Sequence, residues 1–435
     1  MSRRKKVAAY RATILFCLRE PHCVADLEYF EDGILVVEDG VVVEVGPAAD
    51  VLARLSADVP INDYRGRLLL PGLIDCHVHY PQIDMIASYG EQLLEWLEKY
   101  AYPAERRFKD AAVAAETAEF FVQQLLANGT TTALIFATVH AQSVDAIFAA
   151  AEKRNLRLIS GKTLMDHGCP LDLRDTAEGG VEESRRLIER WHGQSRLGYA
   201  ITPRFAVTSS KEQLRAAGKL AGEFPEVHVH THLAENEDEV KIISHRFPES
   251  RSYLDVYQQH GLLRERSVFA HCLHLDEADR GELSRRGGAI AFCPTSNLFL
   301  GSGLFDLAAA KAHNIRVGMG TDVGGGTTLN MLRTLAAGYK VLHLQQQALP
   351  PHEALYLATL GAARALYLDD RVGSFAPGNE ADFIVVDDSA TPLTARRSAA
   401  AGTIAERLFA LLMLGDDRAV EATYAMGEPV YARVG

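Results

Sequence analysis

The apolar positions of this chain change period twice. From Glu28 to Val51, "EYFEDGILVVEDGVVVEVGPAADV", short Val and Ile runs alternate with Asp-Gly pairs, the pattern of antiparallel strands joined by tight turns. The same pattern returns near the far end in "ADFIVVDDS" and "ATYAMGEPVYARV". Between these segments lie short apolar runs of strand length: "LLLPGLIDCHVH", "TTTALIFAT", "LRLISGKTLM", "RLGYAITPRF", "EVHVHTHLAE", "SVFAHCLHL", "GAIAFCPTSN" and "IRVGMGTD". Amphipathic stretches such as "AAVAAETAEFFVQQLLANG" and "VEESRRLIERWHG" separate most of them. Strand–helix units repeated in this way predict an α/β fold, a parallel (β/α)8 TIM barrel. An open doubly wound sheet is the rival, but it carries fewer strands and usually a phosphate loop. No G-x-G-x-x-G follows the first strand. The expected organisation is a barrel over residues 68–379 and a small composite β-sandwich domain from residues 1–67 and 380–435.

One insertion interrupts this rhythm. After the first strand runs "YPQIDMIASYGEQLLEWLEKYAYPAERRF", rich in Tyr, Trp and Met. Directly after a barrel strand, such a segment sits at the catalytic face, where it is placed to cover a pocket for a planar ligand. Its Trp96 half reads equally well as a helix packed on the outside.

Bulk properties narrow the function classes. Of 435 residues, 48% are hydrophobic and 23% charged, so a large core can be buried. The net charge of −12 argues against general binding to nucleic acid or to an anionic membrane. Six cysteines without a C-x-x-C pair read as reduced thiols of a cytoplasmic protein. The basic start "MSRRKK" leads into "VAAYRATILFCLRE", where Arg11 and Arg19 break the apolar run and no clean cleavage site follows, against a signal peptide. No run approaches the roughly 20 apolar residues of a membrane helix.

Chemistry gathers at the carboxyl ends of the predicted barrel strands, where active sites of this architecture lie. The first strand ends in His77 and His79, the fifth in His232, the sixth in His271 and the eighth in Asp322. Residues i and i+2 of a strand share a face, so His77 and His79 can point inward together. Imidazoles with a carboxylate suit zinc or iron(II). Any single histidine among sixteen is more often a surface or core residue. "HVHTH" offers His228, His230 and His232; the last lies nearest the strand end, and the other two are expected to fill the interior. The joint pattern is the signal, because barrel cores favour Val, Ile and Leu.

"PGLIDCHVH", "HLAE", "AHC" and "GTD" resemble the amidohydrolase superfamily over essentially the whole chain. Within it, "HVHYPQ", "ITPRF", "THLAEN", "FCPTSNLFLGSGLFDL" and "GTDVGGGTTLNML" resemble the guanine deaminase branch. The resemblance implies one divalent metal, zinc or alternatively iron(II), held by His77, His79, His232 and Asp322. Two-metal members of the fold carry a lysine at the fourth strand end, where this chain has Arg204; Lys162 lies on the third and is expected to play a structural or pocket-polar role. By the same resemblance His271 contacts the attacking water or coordinates weakly, Glu235 shuttles protons, and Gln82 with Arg204 and Phe205 recognises the purine. Guanine as substrate and a homodimer complete the implied picture.

Each role has a plainer alternative. Glu235 lies in "AENEDEVK", an acidic helix start where Glu is favoured anyway; only its offset from His232 singles it out. Arg204 suits a salt bridge at the barrel mouth, and Phe205 suits strand-end packing. The H-x-E…P-C-x-x-C pattern of deaminases acting on nucleic acids is absent, so a free base is expected. Other readings are a sister aminohydrolase acting on another base, such as 8-oxoguanine, and a non-catalytic barrel; the latter usually loses ligands that this chain keeps.

Overall fold

The computed structural model describes residues 6–433, so most of the basic start "MSRRKK" and the last two positions of the C-terminal segment lie outside the described residues. Eight parallel strands follow one another in chain order around a barrel: Leu73–His79, Thr130–Phe136, Arg157–Gly161, Leu197–Pro203, His228–Leu233, Ser267–His271, Ala289–Phe292 and Arg316–Met319. A two-residue strand, Thr163–Leu164, pairs beside the fourth. The runs are apolar on both faces because helices cover the outside while side chains fill the inside. Leu73–His79 and Thr130–Phe136 are buried at every position.

Closure happens at the level of the chemistry. Beyond Met319 the chain continues alongside the first strand: the Asp322 N–H donates to His77 O at 2.9 Å and the His79 N–H to Val323 O at 2.6 Å. Asp75, fully buried, pins the same junction by accepting from the Thr321 N–H, the Thr321 hydroxyl and the His77 N–H.

The end segments form a seven-stranded sheet in the order Glu428–Ala432, Val420–Ala425, Phe383–Val386, Ile61–Pro71, Val7–Phe16, Glu28–Glu38, Val41–Pro47. Tyr10, Phe383 and Tyr424 pack as its aromatic centre, with ring centroids 4.4–5.2 Å apart. Of the two Asp-Gly pairs expected as turns, only Asp39–Gly40 is one, both residues having positive φ as such a hairpin turn requires. Asp32–Gly33 lies inside a strand, beside a register shift at Ala12/Ile14. A Cβ on Gly33 would stand 2.8 Å from Phe30 Cβ, so glycine serves close strand approach there. The C-terminal segment also carries two helices, Pro392–Ala399 and Ile404–Leu414, the second lying against the helix Met331–Leu344. No helix among the described residues is long and apolar enough to cross a membrane.

Candidate active site

His77, His79, His232 and Asp322 meet at the carboxyl end of the barrel, with one ligand atom from each lying within 4.8 Å of all the others. His79 Nε2 stands 3.2 Å from both His77 Nε2 and His232 Nε2, and Asp322 Oδ1 is 3.1 Å from His77 Nε2 and 3.4 Å from His79 Nε2. Ligands about 2.1 Å from an ion stand roughly 3.4 Å apart at a tetrahedral angle. The spacing therefore fits one divalent cation. The outer nitrogens agree: His232 Nδ1–H donates to Arg204 O at 2.7 Å, which leaves Nε2 bare toward the centre. His77 Nδ1 lies 2.8 Å from His230 Nε2. Burial pushes the pKa values of all three imidazoles well below the usual histidine value, so they are neutral, the form that ligates.

Asp322 and His271 both have left-handed backbone, φ 51° and 71°, as does Ala234 at 48°. Non-glycine residues adopt this region rarely, and it clusters at functional sites. Here it turns the chain off each strand just where a side chain must face inward. His271 Nδ1 bonds Asn297 Oδ1 at 2.8 Å, while its buried Nε2 has no hydrogen-bond partner and lies 3.7 Å from Asp322 Oδ2. A buried nitrogen without a hydrogen-bond partner beside the cluster fits an ion site there.

Glu235 follows the Ala234 bend and precedes the helix Glu237–Arg246, whose N-cap is Asn236. The acids that favour the helix dipole are therefore Glu237, Asp238 and Glu239, and Glu235 turns into the pocket instead. Its backbone N–H is held by the Glu239 carboxylate. Its own carboxyl lies 3.3 Å from His271 Nε2 and accepts from the Ser302 hydroxyl at 3.2 Å. Burial, with Asp322 nearby, pushes its pKa up to about 8.

Across the pocket stands a second, polar cluster. Arg204 ion-pairs with Glu105 at 2.8 Å, both side chains being buried, so the salt bridge entertained for Arg204 exists. Glu105 also accepts from Gln82 Nε2 at 2.9 Å, and Gln82 Oε1 accepts from the Gly324 N–H at 3.1 Å. Burial works against the Arg204 charge, but Glu105 outweighs it and holds the guanidinium pKa above its usual value.

Between the two clusters lies a pocket lined by His79, His232, Glu235 and Asp322 on one side and Gln82, Arg204 and Phe205 on the other. Leu93, Trp96, Leu97 and Leu300 complete the walls. Trp96 is thus a pocket wall, and the outside-helix alternative falls away. Lys162 is buried and ion-paired with Asp175, apart from the donor set. His228 is tied to Leu366 O at 2.8 Å deeper in the barrel. Sequence reasoning missed Glu105, Asn297, Ser302 and Asp75. In "YPAERRF" Glu105 looks like an ordinary solvated helix charge, and nothing local marks it; Asp75 carried the faint signal of a carboxylate inside an apolar strand.

Three imidazoles and a carboxylate at the strand ends of a parallel barrel, with a protonatable carboxyl beside them, define a metal-dependent hydrolase. The chain belongs to the amidohydrolase family, which it matches over residues 68–430. It is 51% identical over 407 residues to guanine deaminase of Escherichia coli (strain K12), covering 94% of this chain and 93% of that protein. The E. coli guanine deaminase structure superimposes with a TM-score of 0.96 at 49% identity, over 98% of this chain and 100% of that one. A guanine deaminase from C. acetobutylicum with guanine bound in its active site gives 0.90 at 27% identity, over 98% and 100% of the two chains.

Proposed function

We propose that this chain hydrolyses guanine to xanthine and ammonia. The observation that carries the proposal is the single pocket in which the His/Asp donor set and Glu235 face Gln82, Arg204 and Phe205; the strong likeness to guanine deaminases supports it. His77, His79, His232 and Asp322 would hold one divalent ion, zinc in the first place and iron(II) in the second. Such an ion, when bound, supplies the charge that brings a water's pKa to about 7.

The residues then divide the work. Arg204 and Gln82 present N–H donors, which suit the carbonyl oxygen of guanine and disfavour the six-amino group of adenine, itself a donor. Phe205, Leu93, Trp96 and Leu97 enclose the flat ring and exclude water. Asp322 accepts a proton as water attacks the amino-bearing carbon. Glu235, kept protonated by its buried setting, gives a proton to the adjacent ring nitrogen. Asp322 then passes the proton it took from water to the departing amine, while Glu235, now a carboxylate, takes up the hydroxyl proton of the adduct; ammonia leaves, the carbonyl of xanthine forms and both carboxyl groups return to their starting states. His271, with Asn297 fixing its ring, orients the water.

Incubating the metal-replete protein with guanine and measuring xanthine and ammonia tests the proposal; no turnover overturns it. A panel with 8-oxoguanine and adenine tests the sister activity. The same reading includes a cytoplasmic homodimer that takes a small-molecule substrate and neither nucleic acid nor membrane; sedimentation of the purified protein checks the assembly, and metal analysis checks the ion. Arg204→Ala is expected to raise the KM for guanine about 10- to 100-fold, the worth of hydrogen bonds from a charged donor, with metal content unchanged. Because it strands Glu105 in a buried setting, its melting temperature should fall as well. An unchanged KM would refute the recognition role.

A further inference from the structure

The mechanism above does not use Glu105, a carboxylate only 1% exposed on the helical turn Tyr102–Arg106 of the aromatic insertion. Both its oxygens lie 2.8 Å from Arg204 Nη1, and one also takes the Gln82 amide at 2.9 Å. Tyr102, from the same turn, stands with its ring 5.4 Å from the Arg204 guanidinium carbon. It does not line the cavity; Gln82 and Arg204 stand between.

Two consequences follow from the geometry. Gln82 has one amide hydrogen committed to Glu105 and its oxygen engaged by Gly324, so the amide cannot flip and presents a fixed donor–acceptor pair. Arg204, desolvated at the barrel mouth, would by itself be an anion trap. With the Glu105 charge against Nη1 the pair is neutral overall, and its remaining N–H groups act as plain hydrogen-bond donors.

We propose that Glu105 is a specificity-determining positioning residue: by neutralising Arg204 and locking Gln82, it tunes the pocket to a neutral oxopurine over an anionic one. This rests on the guanine reading of the same pocket. It also ties the insertion to recognition, since Leu93, Trp96 and Leu97 close over the ring from the segment that supplies Glu105.

The test compares ligands that differ in charge at one pH, using the metal-loaded protein. Hypoxanthine is neutral and urate is a monoanion at neutral pH; both carry a carbonyl on the six-membered ring. Their dissociation constants are measured by calorimetry for the parent, Glu105→Gln and Glu105→Asp. Glu105→Gln is expected to shift the urate-to-hypoxanthine affinity ratio toward urate by about tenfold or more, and to raise the guanine KM at least tenfold with kcat changed much less. Glu105→Asp keeps the charge, so its ratio should stay within about twofold of the parent while the guanine KM still rises. A general loss of structure would not split neutral from anionic ligands in this way.

An unchanged ratio in Glu105→Gln overturns the electrostatic role, and a parental KM in Glu105→Asp overturns the locking of Gln82. Should Glu105→Gln fail to fold, Glu105→Asp paired with Arg204→Gln decides. That combination leaves a carboxylate without the guanidinium, and is expected to shift the ratio away from urate; no shift overturns the proposal. A parent that binds hypoxanthine without turning over guanine would overturn the proposed activity alone.

Discussion

Glu235→Gln is expected to keep its metal and lose about 10²–10⁴-fold in kcat, the usual worth of a positioned proton donor. The substitution preserves shape and can still accept from Ser302, whose hydroxyl is 3.2 Å from the carboxyl. The bond from the Glu235 backbone N–H to Glu239 is untouched, so the bend between strand and helix should survive. What is lost is a titrating proton in a buried place where its pKa lies at about 8. Burial is the leading cause of that shift, and it favours the protonated form that the proposed donation to the base requires. Metal content by atomic emission and kcat by ammonia release give the two readouts. A variant with full metal and parental kcat would remove Glu235 from the mechanism.

The second large effect is expected from His232→Ala. Its Nε2 is 3.2 Å from His79 Nε2, and its Nδ1–H bond to Arg204 O couples the donor set to the Arg204 side of the pocket. Removing one of four donors should leave the protein with under about a tenth of the parental metal, and kcat/KM should fall at least as far as in Glu235→Gln. Folding gives an independent readout. An ion that binds only the folded parent at a hundred times its Kd adds about 2.7 kcal/mol to stability. Adding metal to chelated protein should therefore raise the melting temperature of the parent and leave His232→Ala nearly unmoved. Full metal occupancy in the variant would overturn the ligand assignment.

Much of this site was legible because its chemistry sits on regular strands. His77 and His79 are two residues apart, and a strand's period of two puts them on one face without further information. His232 and His271 lie at the ends of the fifth and sixth apolar runs, adjacent strands whose pairing sets Leu233 opposite His271. Glu235, singled out by its offset from His232 where composition pointed equally to its acidic neighbours, does line the pocket. The Asp-Gly pairs show where local pattern misleads: Asp32–Gly33 and Asp39–Gly40 look alike in sequence, and packing against Ile14 and Phe30 makes only the second a turn.

What the chain determined by itself was therefore the periodic part: eight apolar runs, the inward-facing histidines, and a metal-binding set of residue types at strand ends. Tertiary structure decided the rest. Asp322 reaches His77 through left-handed backbone and hydrogen bonds that close the barrel, linking positions far apart in sequence. Trp96 became a pocket wall, and Glu105, an unremarkable charge in "YPAERRF", became the buried partner of an arginine 99 positions away. Periodicity is a property of neighbours, set by the geometry of one strand or helix. Which carboxylate loses its water and meets which guanidinium depends on how distant segments pack, and only the closed barrel sets that.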